Sequence, residues 1–193
     1  MRILAISGSL RAGSHNTRLL RAAEELLDAR GADVLEFDAL RAVPPYDEDD
    51  DREPAPPAVA TFRDAIAGAD GVVIATPEYN SSIPGQLKNA LDWASRPIAT
   101  NVFRNKPVAV IGASTGMFGA VWAQAELRKV LAAMGARVVE GELPVGHAHT
   151  RFDQEGRLTD DDVREKLGTI LDTLVTEVRP QPEREPQRLS QVA

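Results

Sequence analysis

The sequence predicts an α/β fold: a doubly wound, five-stranded parallel sheet with helices on both faces. Three observations predict it. Short apolar runs alternate with longer amphipathic stretches along the whole chain. Two of those runs, Gly71-Val72-Val73-Ile74-Ala75-Thr76 and Val108-Ala109-Val110-Ile111-Gly112, are apolar almost throughout, as strands covered on both faces are. The three segments of unusual composition follow the first, third and fourth runs. In the strand order 2-1-3-4-5 those carboxyl ends meet, at the switch point where such sheets bind ligands.

The elements follow in order. Residues 2–6 form a short buried strand, which ends in Ser7-Gly8-Ser9-Leu10-Arg11-Ala12-Gly13-Ser14-His15-Asn16-Thr17. Residues 16–30 form a helix with Leu19, Leu20, Ala23, Leu26 and Leu27 on one face and Gly31 as its stop. Asn16 is placed to cap it. Val34-Leu35-Glu36-Phe37 is the second strand. Residues 38–57, rich in Pro, Asp and Glu, read as a long surface loop, functional or mobile. A helix spans 58–67 through Val59, Phe62 and Ile66, and the third strand spans 71–76. Pro84 opens a helix to Ser95, in the first turn where its missing N–H costs nothing. The fourth strand covers 108–112, a helix 119–134, and the fifth strand 137–139. Thr159 caps a last helix whose aspartates, Asp160 to Asp162, suit the positive end of the dipole. Residues 1–178 make one domain, and 179–193, with little to bury, a disordered tail.

Composition narrows the function. The formal net charge is −7, with an acidic run at Asp47–Asp51 and no basic cluster, which argues against nucleic acid as a partner. There is no cysteine, so disulfides, thiolate metal sites and a Cys nucleophile are excluded. That removes the tyrosine phosphatases that also cradle phosphate after their first strand. No apolar stretch reaches membrane-spanning length, and the strand-like start is not a signal peptide, so a cytoplasmic protein away from the membrane is expected.

The loop after the first strand has the make-up of a phosphate site. Backbone N–H groups and a helix start face the anion, hydroxyls donate, and Arg11 supplies countercharge. The second loop runs from Thr76-Pro77-Glu78-Tyr79-Asn80-Ser81-Ser82 into the helix carrying Gln86, Lys88, Asn89, Asp92 and Trp93. The third, Ser114-Thr115-Gly116-Met117-Phe118-Gly119, is small and glycine-rich enough to approach a flat ligand.

The pattern G-S-L-R-x-G-S-x-N at Gly8 to Asn16, with P-E-Y-N-x-S-x-P-G-x-L-K-N-A-x-D-W at Pro77 to Trp93, resembles the NAD(P)H-dependent FMN reductase family. This flavodoxin-like family includes bacterial quinone, azo-dye and chromate reductases. The resemblance extends over residues 2–178 and includes the helix with Gln124, Leu127 and Arg128. It implies that Ser9, Arg11, Ser14, Asn16 and Thr17 hold the FMN phosphate. Pro77, Glu78, Tyr79 and Asn80 would line the isoalloxazine, largely through backbone groups, with Ser114, Thr115 and Gly116 on its other side. It also implies a homodimer or homotetramer. His15 sits where the motif is open to any residue.

Blander readings stand beside these. Lys88 and Asp92 are an ordinary i, i+4 surface pair. Trp93 and Trp122 are packing or interface residues. His147 and His149 lack a third ligand, so no metal is expected. The acidic run is a solvated face. The chain is then expected to be an oxidoreductase: NADPH or NADH reduces bound FMN, and a quinone, flavin or similar small acceptor reoxidises it in a ping-pong scheme, with no catalytic side chain. The alternative is a flavodoxin-type electron carrier that does not itself oxidise NAD(P)H. The loops are poor in the aromatics with which carriers cover a flavin, which favours an enzyme. A response regulator would need clustered acids where this chain has Ser7-Gly8-Ser9.

Overall fold

The computed structural model describes residues 1–179; beyond Arg179, the expected tail lies outside the described residues. Five parallel strands carry the expected order, with β1 (Arg2–Ser7) flanked by β2 (Asp33–Phe37) and β3 (Gly71–Thr76), then β4 (Pro107–Ala113) and β5 (Arg137–Val138). The expected fifth strand is present, and the edge beyond β4 carries one strand more than expected. β5 pairs with the start of β4, and a separate short strand, β6 (Pro144–Val145), pairs with its end. Between them, Arg128 donates to the Val139 and Gly141 carbonyls, and Gln124 bonds both N–H and C=O of Leu143. Side chains of the preceding helix therefore replace the ladder there, which a pattern of apolar residues does not reveal.

The helices are α1 (His15–Asp28), α2 (Pro57–Ala67), α3 (Gly85–Ala94), α4 (Val121–Ala133) and α5 (Asp161–Val178). Alternation along β1 assigns the two faces. Ile3 and Ala5 pack with Leu19, Leu20 and Leu27 of α1 and Leu167, Leu171 and Leu174 of α5. Leu4 and Ile6 pack on the opposite side with Phe62 of α2, Leu87 and Trp93 of α3, and Leu127 of α4. Both faces being apolar, β3 and β4 are buried at every residue. Two caps differ from the sequence reading. Ser14, not Asn16, caps α1, its hydroxyl accepting from the Asn16 N–H at 3.1 Å. Asp160, not Thr159, caps α5, accepting from the Val163 N–H at 2.9 Å and pairing with Arg151. In both cases the shift is one or two residues, within reach of either neighbouring side chain.

The 38–57 segment is a fastened strap rather than a free loop. Its polar backbone bonds to one face of α3: Gln86 donates to the Leu40 and Val43 carbonyls, and Asn89 and the Trp93 indole both donate to the Pro44 carbonyl. The Asn89 amide oxygen also accepts from the Tyr46 N–H at 2.7 Å. Asp51, expected on a solvated face, is instead partly covered and paired with Arg63 at 2.8 Å. Trp93 is fully buried, so it is a packing residue; Lys88 and Asp92 form the expected surface pair at 2.6 Å. Much of the Gln86–Trp93 motif thus serves to hold the strap, because prolines leave its carbonyls without ladder partners.

One buried acid is out of balance. Glu24 on α1 has an unpartnered carboxyl oxygen, and burial, with Glu36 nearby, pushes its pKa up to about 7. Because the folded value lies above the unfolded one, stability is fully present below about pH 4.5 as far as this group is concerned and declines as pH rises toward about 7. Glu24→Gln is expected to raise the denaturation midpoint at pH values above that window and to leave no gain at its acid end, read by denaturant titration at both ends.

Candidate cofactor cleft

Three loops converge at the carboxyl edge of the sheet, after β1, β3 and β4. They enclose a cleft with Ser9, Arg11 and Ser14 on one wall, Pro77, Glu78 and Tyr79 on another, and Ala113, Ser114 and Thr115 on the third. Most of the residues singled out from sequence therefore meet. Their convergence rests on interactions between loops, and these give some of them roles different from those expected.

Asn16 is buried, and its amide closes a two-bond pair with the backbone of Ala113: Nδ2 donates to the carbonyl and Oδ1 accepts from the N–H, each at 2.9 Å. β1 and β4 are not neighbours; β3 lies between them. Asn16 therefore bridges across the end of β3 and fixes the first loop against the third. These two bonds give Asn16 a part in positioning the wall, and it also lines the cleft. Glu78 is similarly committed. Its carboxylate accepts from the N–H groups of Trp122 and Ala123, at 3.0 and 3.1 Å, and so caps α4 from another loop. α4 needs this, because its own N-cap residue is Ala120, in the left-handed conformation with no side chain to offer. Both bonds fall on Oε2, so the backbone of Glu78 and its Oε1 are left to face the cleft.

The second loop turns at Tyr79–Ser82, whose N–H and C=O groups exchange bonds of 3.0 and 3.1 Å. Asn80 and Ser81 both have positive φ, the type I′ arrangement. Asn80 is at the exposed tip of this turn and does not line the cleft. The third loop is laced to β6 and the turn after it: Ser114 N–H to Val145, Ala148 N–H to the Ser114 carbonyl, and His147 N–H to the Gly116 carbonyl. Gly119 makes this possible. It sits at φ +60°, and a Cβ there would lie 2.3 Å from the Pro144 carbonyl carbon. Gly116 lies in this lacing, just outside the cleft. Thr17 is also outside: its hydroxyl bonds Ser7 at 3.0 Å and opens on an adjoining cleft beside Phe37 and Asp38.

The amino end of α1 is rich in unspent donors. Among the described residues, the backbone N–H groups of His15 and Thr17 find no acceptor, as expected for a first helical turn. The His15 side chain lines the cleft, and its buried Nδ1 has no partner. Arg11 and Arg18 make no ion pair among the described residues, although the chain as a whole is acidic. An anion at this helix start supplies the acceptor that these groups lack. His15 lines the cleft although motif reading left its position open; its place at the first residue of a helix, beside Ser14, was the available signal. His147 and His149 lie with rings 6.3 Å apart beside the third loop, and among the described residues no group of three or more His, Cys, Asp or Glu is placed to hold a metal.

The comparisons with known proteins agree with this geometry. Residues 1–150 match the NADPH-dependent FMN reductase family. The chain belongs to that family. Its relatives include an NAD(P)H-dependent FMN reductase of Pseudomonas aeruginosa, 42% identical over 180 residues that cover 93% of this chain and 96% of the relative. A 2-hydroxy-1,4-benzoquinone reductase of a Burkholderia species is 38% identical, covering 93% and 97%. Among solved structures, the flavoenzyme NAD(P)H:(acceptor) oxidoreductase of Paracoccus denitrificans superposes with a TM-score of 0.81 at 33% identity, covering 92% of this chain and 96% of that one. This reductase is thus a flavodoxin-like oxidoreductase with FMN as cofactor and NAD(P)H as reductant. Among the described residues, no helix is long and apolar enough to cross a membrane.

Asn16→Ala tests the bridge. It removes the side-chain partner of both the N–H and the C=O of Ala113, at a cost on the order of 1–3 kcal/mol for a group that stays dry and unpaired. A fall of that size in unfolding free energy is expected by denaturant titration, with FMN affinity lost alongside it as the first loop drifts from the third.

Proposed function

We propose that this reductase binds FMN with its phosphate at the amino end of α1 and its ring between the second and third loops, and passes electrons from NAD(P)H to a quinone-type acceptor. The observation that carries the reading is the single cleft in which Ser9, Arg11 and Ser14 face Pro77, Tyr79, Ser114 and Thr115. It is cationic and donor-rich at one end, and at the other it is lined by Pro77, Tyr79 and small hydroxyl residues, with Glu78 turned to the α4 start. Those are the demands of a nucleotide with an anionic end and a flat, amphipathic head.

Each group has a task. Arg11, whose guanidinium has no protein partner among the described residues, neutralises the phosphate. Ser9 and Ser14 hydroxyls and the free N–H groups of the first helical turn donate to it. The backbone of Pro77–Tyr79 borders the ring edge, and Ser114 and Thr115 border the other side; Thr17, Asn80 and Gly116 shape the surrounding loops. Bound FMN supplies the hydride chemistry. The protein's contribution is to hold the ring with one side open, so that nicotinamide and then the acceptor use the same place in turn, a ping-pong order. A quinone fits this arrangement because it is flat, apolar and reduced by two electrons, and quinone reductases stand among the relatives.

Residues 1–178 form the reductase domain in this reading. Tyr79 of the cleft wall, Met117 and Phe118 of the third loop and Trp122 at the start of α4 are each about half or more exposed. Phe118 and Trp122 meet edge to face at 4.9 Å. A second copy of the chain covering these side chains, in a homodimer or a tetramer of such dimers, removes an apolar patch that is costly in water. The reading places the enzyme in the cytoplasm, where NAD(P)H is generated.

Arg11→Ala is expected to weaken FMN binding by about 1.5–3 kcal/mol, roughly tenfold to a hundredfold, while FMN-saturated turnover changes little. Fluorescence titration and steady-state rates at excess FMN separate the two; unchanged affinity would defeat the phosphate assignment. Stopped-flow mixing of the FMN-loaded protein with NADPH or NADH should bleach the flavin absorption, and added benzoquinone should restore it. A carrier would show no direct bleaching.

A further inference from the structure

We propose that His15 is a phosphate ligand of this reductase and that it takes up a proton when FMN binds, so that cofactor capture is linked to pH. The inference rests on the phosphate placement argued above and adds a residue that placement does not require. His15 is the first residue of α1, next to the Ser14 cap, and its ring lines the cleft with Ser9 and Arg11. Its Nδ1 is buried and unpartnered, an arrangement that costs free energy unless a ligand completes it. Phe152 stacks on the ring at 6.0 Å between centroids, 20° from parallel, which holds its plane without satisfying either nitrogen.

The charges around the ring explain why its protonation should depend on the ligand. Arg11 faces it from the first loop, Arg18 from the next turn of its own helix, and His149 from the segment after β6. No carboxylate is among the groups that act on it. Burial and these cationic neighbours hold the imidazole below its ordinary value, so in the free protein it is neutral near pH ~7. A phosphate seated at this helix start reverses the balance. It offsets the field of Arg11 and brings two negative charges within reach of the ring, and a nearby opposite charge favours the protonated form. One proton comes from solvent, the imidazolium forms, and Nδ1–H donates to a phosphate oxygen as a charge-assisted bond. No bond to phosphorus is made or broken.

The test compares FMN with riboflavin, which lacks the phosphate, on the whole chain and its His15→Gln variant. Calorimetry in buffers of different ionisation enthalpy counts protons. The range from about pH 7 to about pH 8 is suitable, because a phosphate monoester's own second ionisation lies lower, near pH ~6. The wild-type chain should take up a proton fraction that grows as pH falls, with FMN affinity rising by up to about tenfold per pH unit. His15→Gln with FMN, and the wild type with riboflavin, should show neither effect. In the wild type itself, the His15 ring proton followed by NMR should titrate at least about one unit higher with FMN than without. Equal proton uptake in wild type and variant, or a His15 titration unmoved by FMN, overturns the inference while a preference for FMN over riboflavin leaves the phosphate placement intact. Equal affinity for FMN and riboflavin overturns both.

Discussion

The cleft exists because one amide side chain spans a strand. Asn16 belongs to the first loop and the start of α1, and Ala113 ends β4, with β3 between them. Loops at a sheet edge are otherwise free to move separately, since each is anchored only by its own strand and helix. A buried pair of hydrogen bonds, donor and acceptor both met, fixes their separation, and losing either partner strands a dry backbone group. The carboxylate of Glu78 does the same between the second loop and α4, where it stands in for a missing cap. Two side chains thus turn three connections into one rigid wall.

The rest of the fold supports that wall from behind. α3 is pressed to the sheet by Leu87 and Trp93, and its polar side carries the proline-rich strap through Gln86, Asn89 and the Trp93 indole. The Val43 and Pro44 carbonyls have no backbone donor within the strap, so α3 supplies side-chain donors at intervals that match the helix repeat. The third loop is held in the same manner, by backbone bonds to β6 and the turn after it that Gly119 and Gly146 permit. The functional residues sit on segments that look irregular but are braced to one another by side chains. Open donors occur at the amino end of α1, where the His15 and Thr17 N–H groups and His15 Nδ1 have no partner; the other buried unpartnered side-chain atom, Glu24 Oε1, lies farther along the same helix. An enzyme whose cofactor carries the chemistry is served by braced walls with hydrogen-bonding capacity left open beside the ligand.

Several expectations from sequence met the structure at one remove. The Gly8–Asn16 motif marks the cleft correctly, yet within it Asn16 is a brace, Thr17 faces the adjoining cleft and His15 lines the site. The Pro77–Trp93 motif marks the second wall, yet its charged and amide members mostly serve other elements. A motif records which residues a place requires. It does not say whether a side chain meets the ligand or the neighbouring loop, because the neighbour is distant in sequence: 97 residues separate Asn16 from Ala113. The fifth strand lies where expected, but the short β6 beyond it and the fastening of the strap were missed for the same reason, since the groups that hold them come from α4 and α3.

The sequence by itself determined the layered α/β architecture, the number and order of its main strands and helices, and the three loops that form the site. Those follow from local periodicity and from turn and helix-start chemistry, which act over a few residues. Only the tertiary structure decided which polar side chains brace the loops and which remain open to a cofactor. That choice depends on hydrogen bonds between residues far apart in sequence, and a hydrogen or lone pair already engaged within the protein is one the ligand cannot use.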